Sequence, residues 1–319
     1  MKIPLLLAWL LCAVANACGQ TYPAKTVRLM VGFAPGGGTD IVARVVAQKL
    51  TEMWGQTVIV ENRTGASGII GADVVAKAAP DGYTLLMSSQ TSTAVAASLY
   101  SKLPYDVLKD FAIVTVVGSA PTLIIVHPSL PPRTFQEFIA FVKANSGSLS
   151  YGSAGFGSTA NLAGELLNQS LKTRIVHVPY KGESAAIAEV VGGQLPLTFT
   201  TLPAAVPQVR AGKVRALAIT SLQRSPTAPE YPTVAESGIP GYEVTAWNSI
   251  YAPAALPREF IARIHADVVK ILGLPDVRER LAQLGIDRVG NSPEEAAAYL
   301  RSETARWARV IKSANMRAD

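Results

Sequence analysis

Residues 27–50 read VRLMVGFAPGGGTDIVARVVAQKL, and this stretch decides the fold. Its first part alternates apolar with other residues, which is the period of a β-strand. A turn of proline and glycine follows, and apolar residues then recur at helical spacing from Ile41 to Leu50. Residues 57–61 form the next predicted strand. A strand, a loop, a helix and a second strand in this order are typical of the start of a parallel sheet.

The rest of the chain continues this alternation. Further strands are predicted at residues 83–87, 111–117, 122–126, 148–151, 175–178, 195–200, 214–220 and 242–252. Helices are predicted at residues 69–79, 93–103, 135–144, 160–171 and 185–191, and the last part of the chain is also predicted to be helical. This order predicts an α/β protein of two lobes with a cleft between them. Residues 18–121 and 245–319 form lobe 1, residues 122–244 form lobe 2, and the crossings near residues 118–123 and 243–247 are expected to be hinges.

Low charge and abundant aliphatic residues exclude a disordered chain. Of the 319 residues, 49% are hydrophobic and 16% are charged, and the net charge is +6. No run of lysine and arginine is dense enough to bind a phosphate backbone, so nucleic acid is not an expected partner. The modest positive charge suits a small anionic ligand.

Residues 1–17 are predicted to be a signal peptide. Lys2 supplies a positive charge, a short apolar run follows, and Ala15-Asn16-Ala17 has the small residues of a cleavage site. The run is shorter than the roughly 20 residues that span a bilayer, so a soluble protein exported to the periplasm is expected. The alternative is a lipid anchor on Cys18, which Asn16 disfavours.

The turn at residues 34–38 is the first candidate ligand site. Glycine lets backbone N–H groups approach a ligand closely, and a helix N-terminus carries about half a positive charge. An anionic oxygen would therefore be stabilised there without a basic side chain. The spacing is neither that of a P-loop nor G-x-G-x-x-G. The alternative interpretation is a tight turn with a helix cap at Thr39 or Asp40, and the residues alone leave both open.

A second loop of this kind, YGSAGFGST, lies at residues 151–159. It also follows a predicted strand and precedes a predicted helix, in the other lobe. Ser158 and Thr159 either cap that helix or donate hydroxyls to a ligand. If the two loops face each other, a carboxylate is held from both sides, which couples binding to closure of the lobes.

Six motifs occur in order along the chain. They are FAPGGGTD at residues 33–40, ENRTGASG at 61–68, PDGYTL at 80–85, YGSAGFGS at 151–158, PYKG at 179–182 and YPTVAESG at 231–238. With these motifs the chain resembles the Bug-type (TctC-like) receptors of tripartite tricarboxylate transporters, from about Tyr22 to the C-terminal helices. The resemblance implies a two-lobed periplasmic binding protein of the Venus flytrap type (type II-like). It would bind a small organic, amino or aromatic acid and deliver it to a membrane permease; the alternative is a sensor that presents the acid to a signalling partner.

The resemblance also implies ligand contacts from both lobes, partly through bridging water. Carried onto this sequence, the contacts are Pro35, Gly36, Gly37 and Thr39 in lobe 1 and Gly157, Ser158 and Thr159 in lobe 2. Phe33, Ser153, Asn161 and Tyr180, in or beside the same motifs, extend this set. Residues 88–91, with Ser89 and Thr91, follow a strand and are either polar contacts for the variable part of the ligand or a solvated helix cap. Asp40 is expected to cap its own helix, because a second carboxylate would repel the ligand.

Some residues depart from the family pattern. Asn161 stands where the family often has histidine, Ser184-Ala185 where it often has Ala-Pro, and Glu189 where the acidic residue is usually aspartate. The first two departures affect the far end of the pocket and hence the identity of the ligand. Trp247, at the return crossing, is expected to pack the hinge rather than contact the ligand, and Lys181 is expected to be a solvated surface lysine.

An enzyme is not expected. The three histidines, His127, His177 and His265, lack metal-ligand spacing and adjoin no nucleophile motif, and G-x-S-x-G is absent. A hydrolase or transferase would have to use Ser158, for which the sequence offers no base. No cofactor and no metal are therefore expected, and the protein is expected to be a monomer.

Overall fold

The computed structural model describes residues 22–33, 35–180 and 182–317. The predicted signal peptide, Cys18 and Lys181 lie outside the described residues. The strands are β1 Val27–Val31, β2 Val58–Asn62, β3 Thr84–Ser89, β4 Phe111–Val126, β5 Ser150–Ser153, β6 Val176–Pro179, β7 Leu197–Thr201, β8 Arg215–Ile219, β9 Thr245–Pro253 and β10 Asp287–Arg288. The helices are α1 Gly38–Trp54, α2 Ile69–Ala76, α3 Ala96–Leu99, α4 Phe135–Ala144, α5 Thr159–Leu171, α6 Glu183–Val191, α7 Leu202–Arg210, α8 Arg258–Leu272, α9 Pro275–Gln283 and α10 Pro293–Ser313.

Each half of the molecule contains a set of parallel strands. In lobe 1, β1 lies between β2 and β3 and pairs parallel with both, and β9 runs antiparallel beside β3. In lobe 2, β5 lies between β6 and β7 and again pairs parallel with both. Each lobe therefore contains one predicted strand–glycine loop–helix unit, β1 to α1 and β5 to α5, at the carboxyl end of a parallel strand.

The lobes share strand β4, which corrects a prediction. Residues 111–117 and 122–126 are predicted as separate strands, but they belong to one strand of 16 residues. Its residues 111–121 pair with β9, and residues 122–126 pair with β7 and β8. The intervening Gly118 and Ser119 are weak strand formers, and their pairing with β9 and β10 keeps them extended. The limits of the lobes at 121/122 and 244/245, and the hinges there, stay predictions.

A predicted helix at residues 93–103 is also wrong. The segment forms a 3-10 turn at Gln90–Ser92 followed by the single-turn helix α3. The hydroxyl of Thr93 donates to the Ser89 carbonyl at 3.0 Å, and the hydroxyl of Tyr105 donates to the Ser92 carbonyl at 2.6 Å. Side chains that bond the backbone in this way compete with a regular helix.

Trp247 packs in the interior, and that it packs a hinge stays a prediction. Its side chain is fully buried, and its ring meets Tyr299 of α10 edge-on with centroids 5.4 Å apart. The C-terminal helix α10 also packs against β4 and α3. The return crossing at β9 is therefore anchored by apolar contacts.

Candidate functional site

The first glycine loop is held by its own helix. Gly36 has a φ of +81°, a left-handed conformation that glycine adopts without strain. Its N–H donates to Oδ2 of Asp40 at 2.8 Å. Gly37 is the N-cap of α1 in an extended conformation, and no side chain caps the helix amides. Asp40 therefore fastens the loop to the helix instead of capping the helix, and Pro35, Gly36 and Gly37 stay exposed.

Asp40 also ties this loop to the sheet. It is 1% exposed, and it accepts hydrogen bonds from Nδ2 of Asn62 at 2.9 Å and Nε of Arg44 at 2.8 Å. Burial by itself raises the pKa of Asp40, but the hydrogen bonds from Arg44, Gly36 and Asn62 outweigh burial and lower that pKa below its ordinary value. The carboxylate is ionised, and Arg44 balances its charge beneath the loop.

The second loop repeats this geometry. Gly157 has a φ of +71°, and its N–H donates to Oδ1 of Asn161 at 3.0 Å. Ser158 is the N-cap of α5: its Oγ donates to the Gly155 carbonyl at 2.7 Å and accepts the Asn161 N–H at 3.3 Å. The amides of a first helical turn have no acceptor within the helix. Each lobe thus presents such amides at a glycine turn.

Ser153 and Asn161 support the second loop from within, and that they also contact the ligand stays a prediction. Each is 1% exposed. Nδ2 of Asn161 donates to the Tyr151 hydroxyl at 3.0 Å. The Ser153 hydroxyl bonds to the backbone of Gly155 and to Nε2 of His177. Their polar groups are therefore engaged beneath the loop.

Both loops border the turn that follows β3. Nε2 of Gln90 donates to Oγ1 of Thr159 at 3.4 Å, which joins lobe 1 to the first turn of α5. Oγ1 of Thr39 donates to Oδ1 of Asn248 at 2.8 Å, and Asn248 pairs in register with Ser89, next to Gln90. The two helix N-termini therefore converge at the carboxyl end of β3, the edge at which α/β sheets bind ligands.

The lobes also touch at Gly157. A Cβ built on Gly157 would lie 2.4 Å from Cδ2 of Leu99 and 3.9 Å from Cγ1 of Val95. The second loop is thus packed against the α3 segment of lobe 1, so the structure describes the lobes in contact.

The remaining predicted contacts are half-buried. Ser89 and Thr91 are half-buried, and Oγ of Ser89 accepts the Thr91 N–H at 3.4 Å. Phe33 and Tyr180 are half-buried as well. The Tyr180 ring rests on β5, because a Cβ on Gly152 would lie 3.4 Å from its Cε2. That these four residues touch the ligand stays a prediction.

Asn248 is missing from the predicted contacts. It lies inside β9, and its position beside the loop depends on the pairing of β9 with β3. The signal in the sequence is a lone amide between Trp247 and Ser249, within a strand that is otherwise apolar or small.

Metal and membrane features can be assessed for the described residues only. They contain no group of three or more His, Cys, Asp or Glu side chains arranged to hold a metal. Among these residues, every helix is too short or too polar to span a bilayer.

His177, under the second loop, gives a pH prediction. Burial between Tyr151 and Phe156 lowers the pKa of His177 to about 4, whereas an unfolded histidine has a pKa of about 6.5. As the pH falls from about 6.5 to about 4, the unfolded chain gains a proton that the folded chain does not, so stability falls by roughly 2–3 kcal/mol. His177→Gln should flatten the pH dependence of urea unfolding in this range. An unchanged slope in the variant would contradict the assignment.

Comparison with known proteins identifies the chain. A sequence profile of the tripartite tricarboxylate transporter family receptor, TctC, matches residues 42–316. This chain belongs to that family. The protein BugT of Bordetella pertussis is 36% identical to the receptor over 299 residues, which cover 93% of this chain and 92% of BugT.

Solved structures share the fold of the receptor. Rpa4515 of R. palustris, described with adipate, matches with a TM-score of 0.82 and 35% identity over 93% of this chain and 99% of that chain. MatC of Rhodopseudomonas palustris, with bound malate, matches with a TM-score of 0.78 and 36% identity over 91% of this chain and 100% of that chain. The predicted two-lobed α/β binding-protein fold and the Bug-type resemblance are both confirmed.

Proposed function

We propose that this receptor captures a small carboxylate in the periplasm, holds it between the two glycine loops and delivers it to the permease of a tripartite tricarboxylate transporter. The observation that carries the proposal is the repeated geometry of Gly36 with Asp40 and of Gly157 with Asn161, at two helix N-termini that converge on one turn. The ligands named for Rpa4515 and MatC, adipate and malate, are both carboxylates. The relatives therefore support the same ligand class.

The physical basis is electrostatic. Amides at a helix N-terminus stabilise an anion without a basic side chain. We expect the ligand to meet Pro35, Gly36, Gly37 and the Thr39 amide on lobe 1, and the first turn of α5, with Thr159, on lobe 2. Because Asp40 is buried and balanced by Arg44, its charge opposes the ligand little.

This role requires no reaction. The Ser158 hydroxyl is engaged as a helix cap, and its hydrogen bonds go to Gly155 and Asn161, not to a base. The family is one of receptors. We therefore infer binding without turnover.

Thermal unfolding with a panel of acids tests the proposal. Mono-, di- and tricarboxylates and aromatic acids are each added to the mature protein. A ligand at about 100 times its Kd stabilises the native state by about 2.7 kcal/mol, so a matching acid raises the Tm by several degrees. If sugars or amines raise the Tm while no acid does, the proposal fails.

Substitutions at Gly37 test ligand affinity separately from the stability of the protein. Its extended φ of −74° accepts a side chain without strain. Serine there adds a helix cap and should raise stability, whereas valine is a poor cap and should lower it, each by about 1 kcal/mol or less. Both Gly37→Ser and Gly37→Val should weaken the best acid from the panel by about tenfold or more, because a side chain keeps the carboxylate from the amides. Unchanged affinity in both variants, measured by calorimetry, would remove the first loop from the site.

A further inference from the structure

Gln90 occupies the junction between the lobes. It follows β3 directly and is completely buried. Its Nε2 reaches Oγ1 of Thr159 at 3.4 Å, in the first turn of the helix that carries the second glycine loop. On the lobe 1 side, its neighbour Ser89 pairs with Asn248, which holds Thr39 of the first helix. Gln90 therefore lies between the two helix N-termini that form the proposed carboxylate site.

The amide oxygen of Gln90 has no partner among the described residues. Oε1 is buried and accepts no hydrogen bond. A buried polar atom without a partner costs free energy that a donor in the right place would recover. The arrangement with the lobes in contact is thus incomplete without a hydrogen-bond donor beside Gln90.

The hydrogen-bond partners around Gln90 are uncharged. Within the part of the chain that the structure describes, the side chains of Gln90, Thr159 and Asn248 bond to no charged group. These contacts provide no cation that could pair with a second carboxylate of the ligand. A hydroxyl or ammonium group of the ligand could instead donate a hydrogen bond to the amide oxygen of Gln90.

We propose that Gln90 makes closure of the lobes conditional on a donor carried by the ligand. The preferred ligands are then carboxylates with a hydroxyl or ammonium group beside the carboxylate, not their unsubstituted counterparts. This inference rests on the proposed function and narrows its ligand class. Gln90 is a specificity-determining residue in this scheme, and Oε1 accepts the donor when the lobes close.

Calorimetry with matched acids tests the inference. The pairs are propionate with lactate, succinate with malate, succinate with aspartate, glutarate with glutamate, and phenylacetate with mandelate. The wild-type receptor should bind the substituted member of the best pair about tenfold or more tighter. Gln90→Met keeps the length of the side chain without the acceptor, and it should reduce that ratio to about threefold or less. Gln136→Met, the same change on the exposed face of α4, should leave the ratio as it is in the wild type.

One further variant distinguishes the alternatives. Thr159→Val removes the bond between the lobes and a hydroxyl proposed to meet the carboxylate that both members share, so it should weaken both members of a pair equally. The inference is overturned if Gln90→Met weakens both members of a pair equally, or if the wild type shows no preference in any pair. A wild type that binds no acid at all overturns the proposed function instead.

Discussion

Gly157→Ala should weaken carboxylate binding by about 5- to 150-fold, because the added methyl group keeps the lobes apart. Its Cβ would lie 2.4 Å from Cδ2 of Leu99, a side chain that is only 2% exposed and has little room to move. Overpacking of this kind costs roughly 1–3 kcal/mol. The cost falls on the arrangement with the lobes in contact and is relieved when they separate. The arrangement with the lobes in contact is the one competent to hold the ligand, so the apparent affinity falls in proportion to the loss of its population.

A matched glycine controls for backbone strain. Gly147 has a φ of +89°, similar to the +71° of Gly157, and a Cβ on it meets nothing within 4 Å. Gly147→Ala should lose about 1 kcal/mol of stability to the left-handed backbone and keep its affinity. Leu99→Ala in the Gly157→Ala background should restore much of the binding, since it removes the atom that collides. If Gly157→Ala binds as tightly as Gly147→Ala by calorimetry, the contact with Leu99 has no part in closure.

The parts of the site set by neighbouring residues could be predicted from the sequence. A strand, a glycine turn and a helix follow directly along the chain at residues 27–50 and again at 151–171, so their pattern is visible without knowledge of the tertiary structure. Their convergence is different. It depends on β9 pairing with β3, which brings Asn248 beside Ser89 across 159 positions of the sequence (248 − 89). No local pattern encodes such a register, and Asn248 was therefore missed.

The supporting bonds within the second loop could not be predicted for a related reason. Ser153 and Asn161 are polar residues in a glycine-rich segment, a pattern that suggests a ligand site as readily as a supporting role. The supporting role becomes visible only with partners that the fold brings in, His177 from β6 and the Tyr151 hydroxyl beneath α5. Likewise, β4 runs through Gly118 because β9 and β10 lie on either side of it. Residue type predicts polarity, but only the fold decides whether a polar group faces a cleft or the interior.

The two loops differ in the residue that holds them, and the partners explain the difference. Asp40 receives three donors, from Gly36, Asn62 and Arg44. All three donors are satisfied only by a side chain with two acceptor oxygens, which a carboxylate provides. Asn161 accepts one N–H at its oxygen and donates from its nitrogen to the Tyr151 hydroxyl. An amide fits there, whereas a carboxylate would be buried without a cation.

Asp40→Ala should cost about 2–4 kcal/mol of stability, because three buried or partly buried donors lose their acceptor. Asp40→Asn keeps the shape but turns an NH2 group toward a donor, so a loss of about 2 kcal/mol is expected. The reciprocal Asn161→Asp, which buries a charge, should also destabilise the protein. Urea unfolding near neutral pH measures all three. An Asp40→Asn variant as stable as the wild type would show that the three donors on Asp40 do not stabilise the protein.

The same variants differ in their response to acid. The folded-state pKa of Asp40 lies below its ordinary value, so its contribution is complete above about pH 4 and is lost as the pH falls through the folded pKa. The stability gap between the wild type and Asp40→Asn should therefore shrink below about pH 4, whereas His177 acts at higher pH, between about 6.5 and 4. A double variant, Asp40→Asn with His177→Gln, should lose both parts of the acid response. The acid's own carboxylate titrates in the same range of pH, so affinity is compared between the two proteins. The advantage of the wild type over Asp40→Asn in affinity for the acid should shrink there, because the first loop presents its amides only while Asp40 holds Gly36. A constant advantage would show that the ionised Asp40 does not set the shape of the loop.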